Sequence, residues 1–172
     1  MIAHREGWGG RVRSRRPFGP SERLCFALLL ALLSVSSASW AEQRFIFVLP
    51  PSQGPALLKQ CSRDTPQGVD GFWMPSPGEV AELEARLEPF LKAGPSGREV
   101  LPLDQYHRQY IGFTKQGKHY IYGSFYAVPG AVVANYEATE PVVVCDGGSH
   151  FWGIVFSVDS KTFMDLAFNG IA

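Results

Sequence analysis

Cys145 and three histidines are the residues of this chain whose types could do covalent chemistry. Cys145 opens the run Cys145-Asp146-Gly147-Gly148-Ser149-His150, and His107, His119 and His150 are its candidate bases. A thiolate nucleophile needs an imidazole within hydrogen-bond reach and N–H donors for an oxyanion, which the backbone of Gly147 and Gly148 could supply. A small hydrolase working at this turn is one reading. The other is a disulfide, because no protease signature surrounds Cys145 and a second cysteine, Cys61, stands in the same part of the chain.

Other chemistries find less support. His107, His119, His150 and Asp146 are zinc-ligand types, but no two share the helical i, i+4 spacing or the short Cys/His spacing that gathers ligands. Gly147-Gly148 leads into a strand-like run, so it does not cradle phosphate at a helix start. Glu79, Glu82, Glu84 and Glu88 recur along one helix and read as its solvated face. The sequence therefore assigns no catalytic residue, no metal and no cofactor. What remains is Arg108, Asp146, Ser149, His150 and Asn169 near strand ends, with Tyr110 and Trp152 alongside. At a common edge they would form a polar, aromatic rim for a small ligand or a partner protein, charge fixing orientation and rings giving contact area. The competing reading makes Arg108 and Asp146 a structural ion pair and Asn169-Gly170 merely a strand end.

The elements that must position these residues are legible in part. Pro55 to Cys61 places Leu57, Leu58 and Cys61 on one face of a short helix over 55–62, with Pro55 in its first turn. Ser76 is an N-cap candidate, Pro77 suits the first helical position and Glu79 suits a capping box, so the main helix runs over 77–93. Val80, Leu83, Leu87, Phe90 and Leu91 form its apolar stripe, Glu82–Arg86 and Glu88–Lys92 its charge pairs, and Gly94-Pro95 its stop. Runs 106–113 and 118–128 flank Gln116-Gly117, and a two-residue turn there sets Ile111 opposite Tyr122 and Phe113 opposite Tyr120. Both faces of that hairpin carry aromatics, so pattern alone does not choose a core face. Val132-Val133 suggests a short strand in the connection that follows. In the last third, Asp146-Gly147-Gly148 suits a reversal. Trp152, Ile154, Phe156 and Val158 alternate onto one face, and Met164, Leu166 and Phe168 onto one face of the next run. Pairing the two sets requires an odd-length loop, with Phe156 opposite Leu166 and Ile154 opposite Phe168. The sum is an α+β domain, one main helix packed on an antiparallel sheet of about five strands.

Residues 1–41 read differently from the rest. A basic lead with six arginines runs into the apolar stretch 24–35, then small residues ending at Ala41, which is the layout of a secretory signal. The apolar stretch falls short of the about 20 residues a membrane span needs. Cleavage after Ala41 would leave a single domain over 42–172 with no span, and would remove Cys25. Cys61 and Cys145 would then meet an oxidising compartment as a pair, whose bridge would contribute about 3–5 kcal/mol by loop-closure entropy. Of the chain's 16 basic and 16 acidic residues, the lead holds six Arg and two Glu, leaving 10 basic and 14 acidic in 42–172. A mildly acidic body argues against nucleic acid or an anionic membrane as partner.

Gln60-Cys61-Ser62-Arg63, Phe72-Trp73-x-Pro75, Leu83-Glu84, Arg108-Gln109-Tyr110-x-Gly112, Ile121-Tyr122, Cys145-Asp146-Gly147-Gly148 with Phe151-Trp152-Gly153, and Phe168-Asn169-Gly170 form a set. Together, over about residues 57–172, they resemble a group of small exported proteins of Gram-negative bacteria. The resemblance implies export and a shared fold and carries no activity with it. The expectation from the sequence is thus a periplasmic or secreted cell-envelope protein. Its role would be non-enzymatic binding of an envelope protein or a small ligand, with the Cys145 hydrolase as the alternative.

Overall fold

A β-hairpin of two nine-residue strands is the spine of the structure, a computed structural model that describes residues 45–94, 97–127 and 139–171. The expected signal segment 1–41, the expected start at Glu42 and the expected strand at Val132-Val133 lie outside the described residues. Seven elements carry the description: β1 (Ile46–Val48), α1 (Gly54–Leu57), β2 (Gly71–Trp73), α2 (Pro77–Lys92), β3 (His107–Lys115), β4 (Lys118–Tyr126) and β5 (Phe151–Ser157), closed by an eighth, β6 (Thr162–Phe168). Gln116 and Gly117 both adopt positive φ, 52° and 72°, as a two-residue hairpin turn of this hand demands. The register follows, with Ile111 opposite Tyr122 and Phe113 opposite Tyr120.

The α+β class holds, and the sheet is mixed instead of purely antiparallel. β4, β5 and β6 follow β3 in antiparallel order, while β1 runs parallel to β3 with Ile46 opposite Arg108. A long crossover separates β1 from β3, so nothing forces the hairpin orientation. β2 shares the same edge of β3 further along, pairing Trp73 with Gly112. Two three-residue strands fit end to end there because β3 is nine residues long.

α2 lies on one face. Ser76 Oγ accepts from the Glu79 N–H at 3.3 Å and the Glu79 carboxylate accepts from the Ser76 N–H at 2.8 Å, so the capping box forms with Pro77 at the first position. Gly94, at φ +69°, donates to the Leu91 carbonyl and ends the helix. Val80, Leu83 and Leu87 are buried against Tyr110, Ile121, Phe125, Trp152, Ile154 and Phe156. Each such side chain contributes about 1.5–3 kcal/mol on leaving water. The opposite face holds a second core of Leu49, Leu57, Ile111, Phe113, Tyr122 and Val155 under the segment that follows β1. Both aromatic faces of the hairpin are therefore core.

Two expectations are corrected. The N-terminal helix is Gly54–Leu57 only, and Cys61 lies beyond it in a bend. Gln60 Nε2 takes the Leu57 carbonyl at 2.8 Å and Thr65 Oγ1 the Leu58 carbonyl at 2.7 Å, acceptors that a further helical turn would have used. The β5–β6 register also differs: Phe156 faces Phe163, Val155 faces Met164 and Trp152 faces Phe168, with a bulge between. Lys161 and Asp165 take left-handed backbone at φ 58° and 53°. The extra residue at Asp165 breaks the alternation, so Phe163 and Phe168 join the helix-side core while Met164 turns to the other face with Val155.

Candidate functional site

The residues expected at a common rim are distributed over three places. Arg108 is 2% exposed and enters an ion pair with Glu84, Nη1 to Oε2 at 2.5 Å, while its Nη2 donates to the Leu103 carbonyl. Tyr110 donates its hydroxyl to the second Glu84 oxygen at 2.5 Å. Burial, and next the Glu84 carboxylate, push the Tyr110 phenol well above its ordinary value, with Arg108 acting the other way. Glu84 is thus no part of a solvated face: its side chain is 17% exposed and ties α2 to β3. Its position between Val80 and Leu87, four residues from one and three from the other, is the sequence signal for this. Arg108 pairs with Glu84 and not with Asp146, which is exposed at the far turn.

A second polar node lies on the opposite face. Arg63 donates from Nη1 to Asn169 Oδ1 at 2.6 Å, from Nη2 to Ser124 Oγ at 2.8 Å and from Nε to the Tyr122 hydroxyl at 3.1 Å. Buried Asn169 donates in turn to the carbonyls of Val144 and Asp146. The Gly170 N–H reaches the Ser62 carbonyl at 3.2 Å, and the Gly148 N–H the Gly170 carbonyl at 3.0 Å. Cys61 and Cys145 are joined by a disulfide between two of these three segments, their Cα atoms 5.0 Å apart. Bridged, Cys145 has no thiolate to offer, which removes the nucleophile on which a thiol hydrolase would depend. Gly147 and Gly148 turn the chain at φ 97° and 57°. Ser149 contributes only its carbonyl, which accepts from the Tyr106 hydroxyl at 2.8 Å. Trp152 is buried, its ring stacked on Phe125 with centroids 3.7 Å apart, and His150 is exposed. Among the described residues no three His, Cys, Asp or Glu gather as a metal site would need, and no helix is long and apolar enough to cross a membrane.

A concavity lies elsewhere. A groove of about 420 Å³ opens on the sheet face opposite α2, where the covering segment stops short of β6. Asp64, Thr65, Pro66 and Gln67 make one wall. Phe113, Tyr120 and Val155 form its floor, and Met164 to Ala167 its other wall. The Phe113 and Tyr120 rings stack at 5.2 Å, interplanar 18°. Met164 is 37% exposed, an apolar side chain turned toward solvent by the bulge. Sequence reasoning missed this site because its walls come from residues 64–67 and 164–167, joined by the fold and by no pattern. Compared with family models, curated proteins and solved structures, the chain matches none.

Proposed function

We propose that the protein is an exported, non-enzymatic binding module of the cell envelope, and that the groove between residues 64–67 and β6 is its ligand seat. The groove is the observation that carries this reading: its volume lies in the range of small-molecule sites, and its floor is apolar with polar groups on the walls. Export is supported by the basic-then-apolar lead, by the resemblance to small exported proteins of Gram-negative bacteria, and by the Cys61–Cys145 bridge, which suits an oxidising periplasmic or extracellular compartment. The disulfide and the Arg63 node brace the groove's first wall, since Asp64 follows Arg63 directly. Such bracing presents a preformed site and lowers the ordering cost of binding.

Titration with Nile red, a neutral apolar dye, tests the seat. One-site fluorescence enhancement is expected with the oxidised protein. Met164→Arg should abolish it without changing the melting temperature, while Met74→Arg, at another exposed methionine, should leave it intact. Enhancement that survives Met164→Arg, or none with the unmodified protein, overturns the assignment.

A further inference from the structure

The two walls of the groove each carry a carboxylate. Asp64 stands on the loop that follows the Arg63 node, and Asp165 is the bulge residue of β6. Both are exposed, and among the described residues neither enters an ion pair, although Lys161, Arg86, Lys92 and Arg108 all do. The cationic side chain lining the groove is Lys115, at the hairpin end. Gln67, Gln116, Thr65 and the Tyr120 hydroxyl supply the remaining polar side-chain groups. Two carboxylates against one ammonium leave the lining net negative, above a floor of stacked rings and aliphatic side chains.

The bulge sharpens this arrangement. Asp165 holds φ 53°, a conformation that L-residues other than Asn and Asp rarely adopt. The same extra residue turns Met164 toward Val155 on the groove side. One local irregularity therefore delivers both an apolar contact and an acidic wall residue, which is how bulges re-aim side chains beside binding sites.

We infer that the groove binds a small organic cation, an ammonium or guanidinium head received between Asp64 and Asp165 and a short apolar body laid on Phe113, Tyr120, Val155 and Met164. This rests on the groove being the ligand seat. The volume of about 420 Å³ suits a free small molecule and not a folded partner.

Calorimetric titration of the oxidised full chain with three probes of one shape separates the outcomes: phenethylammonium, phenethyl alcohol and 3-phenylpropionate. The cation should bind tightest and the anion weakest, with the cation's advantage shrinking in about 0.5 M salt as screening shortens the reach of the carboxylates. Asp64→Asn and Asp165→Asn should each weaken the cation about two- to fivefold, as for partly exposed charge pairs, and leave the alcohol unchanged. Asn tolerates left-handed backbone, so the second variant keeps the bulge. If the alcohol or the anion binds as tightly as the cation, or if both variants leave cation binding unchanged, the charge selectivity is refuted and the ligand seat stands. If none of the three binds in a way that Met164→Arg abolishes, the seat itself falls.

Discussion

Replacing Glu84 by Ala should be among the most costly single changes in this protein outside the apolar core. The Arg108 guanidinium is 2% exposed and would keep the Leu103 carbonyl as its acceptor, its Nε already lacking a partner. The Tyr110 hydroxyl would lose its acceptor as well. Breaking a buried pair from one side costs about 3–5 kcal/mol, because the remaining charge stays desolvated. Glu84 is 17% exposed, so solvent relieves little of this, and about 4 kcal/mol is expected. In a body of this size that lowers the melting temperature by roughly 12–20 °C. Denaturant titrations followed by tryptophan fluorescence would measure it, with Arg108→Ala and the double variant closing the cycle. The two single losses should exceed the double loss by about 1–3 kcal/mol, and ionic strength should change that coupling little. Phe156→Ala, a buried apolar truncation, sets the scale at about 3–5 kcal/mol. Should Glu84→Ala fall within about 1 kcal/mol of the unmodified protein while Phe156→Ala does not, the pair is not desolvated and the reasoning fails.

Three further outcomes follow from the packing. A Cβ on Gly153 would stand 2.3 Å from the Tyr122 hydroxyl, so Gly153→Ala should destabilise markedly, and Tyr122→Phe in the same chain should recover part of the loss in thermal melts. Tyr110 and Tyr122 are both held above the ordinary phenol value, by burial first. The folded chain therefore keeps protons that the unfolded chain releases near pH 10, so urea midpoints should fall as pH rises above about 10 and through the folded values. That fall should be shallower in Tyr110→Phe, and an identical slope would contradict the assignment. Cys61→Ala with Cys145→Ala opens a loop of sequence separation 84 and should cost about 4–5 kcal/mol by chain entropy, measured against the oxidised protein by denaturant titration.

How much was legible follows the range of the forces involved. The capping box, the apolar stripe of α2 and the Gln116-Gly117 hairpin register were readable, since each is decided by residues within a few positions of one another. The Cys61–Cys145 pairing was readable because these are the two cysteines of residues 42–172. The β5–β6 register was not, because Asp165 is an ordinary residue type whose left-handed backbone shows only in three dimensions. The rim failed for a related reason. Arg108 and Tyr110 point to the helix side, Asn169 to the other node, and their shared closeness to strand ends says nothing about which face each takes.

The patterned residues and the groove residues form nearly separate sets. Glu84, Arg108 and Tyr110 fix the helix, Cys61, Arg63, Cys145 and Asn169 fix three distant segments, and Gly112 and Gly153 make room for Trp73 and Tyr122. Each is demanded by burial: polar groups in the interior must be partnered, and a close ring leaves no space for a Cβ. Asp64, Gln67, Met164 and Asp165 meet no such demand, being exposed. Changing those four together to Ser, Ser, Thr and Asn should therefore shift stability by no more than about 2 kcal/mol while abolishing dye and cation binding. Asn169→Ala alone, which strips Arg63 of an acceptor and two carbonyls of their donor, should cost about 2–3 kcal/mol and leave the groove's charge unaltered. If the fourfold change unfolds the chain, the groove is part of the core and cannot vary independently of the brace. If it spares both fold and binding, the ligand is held elsewhere.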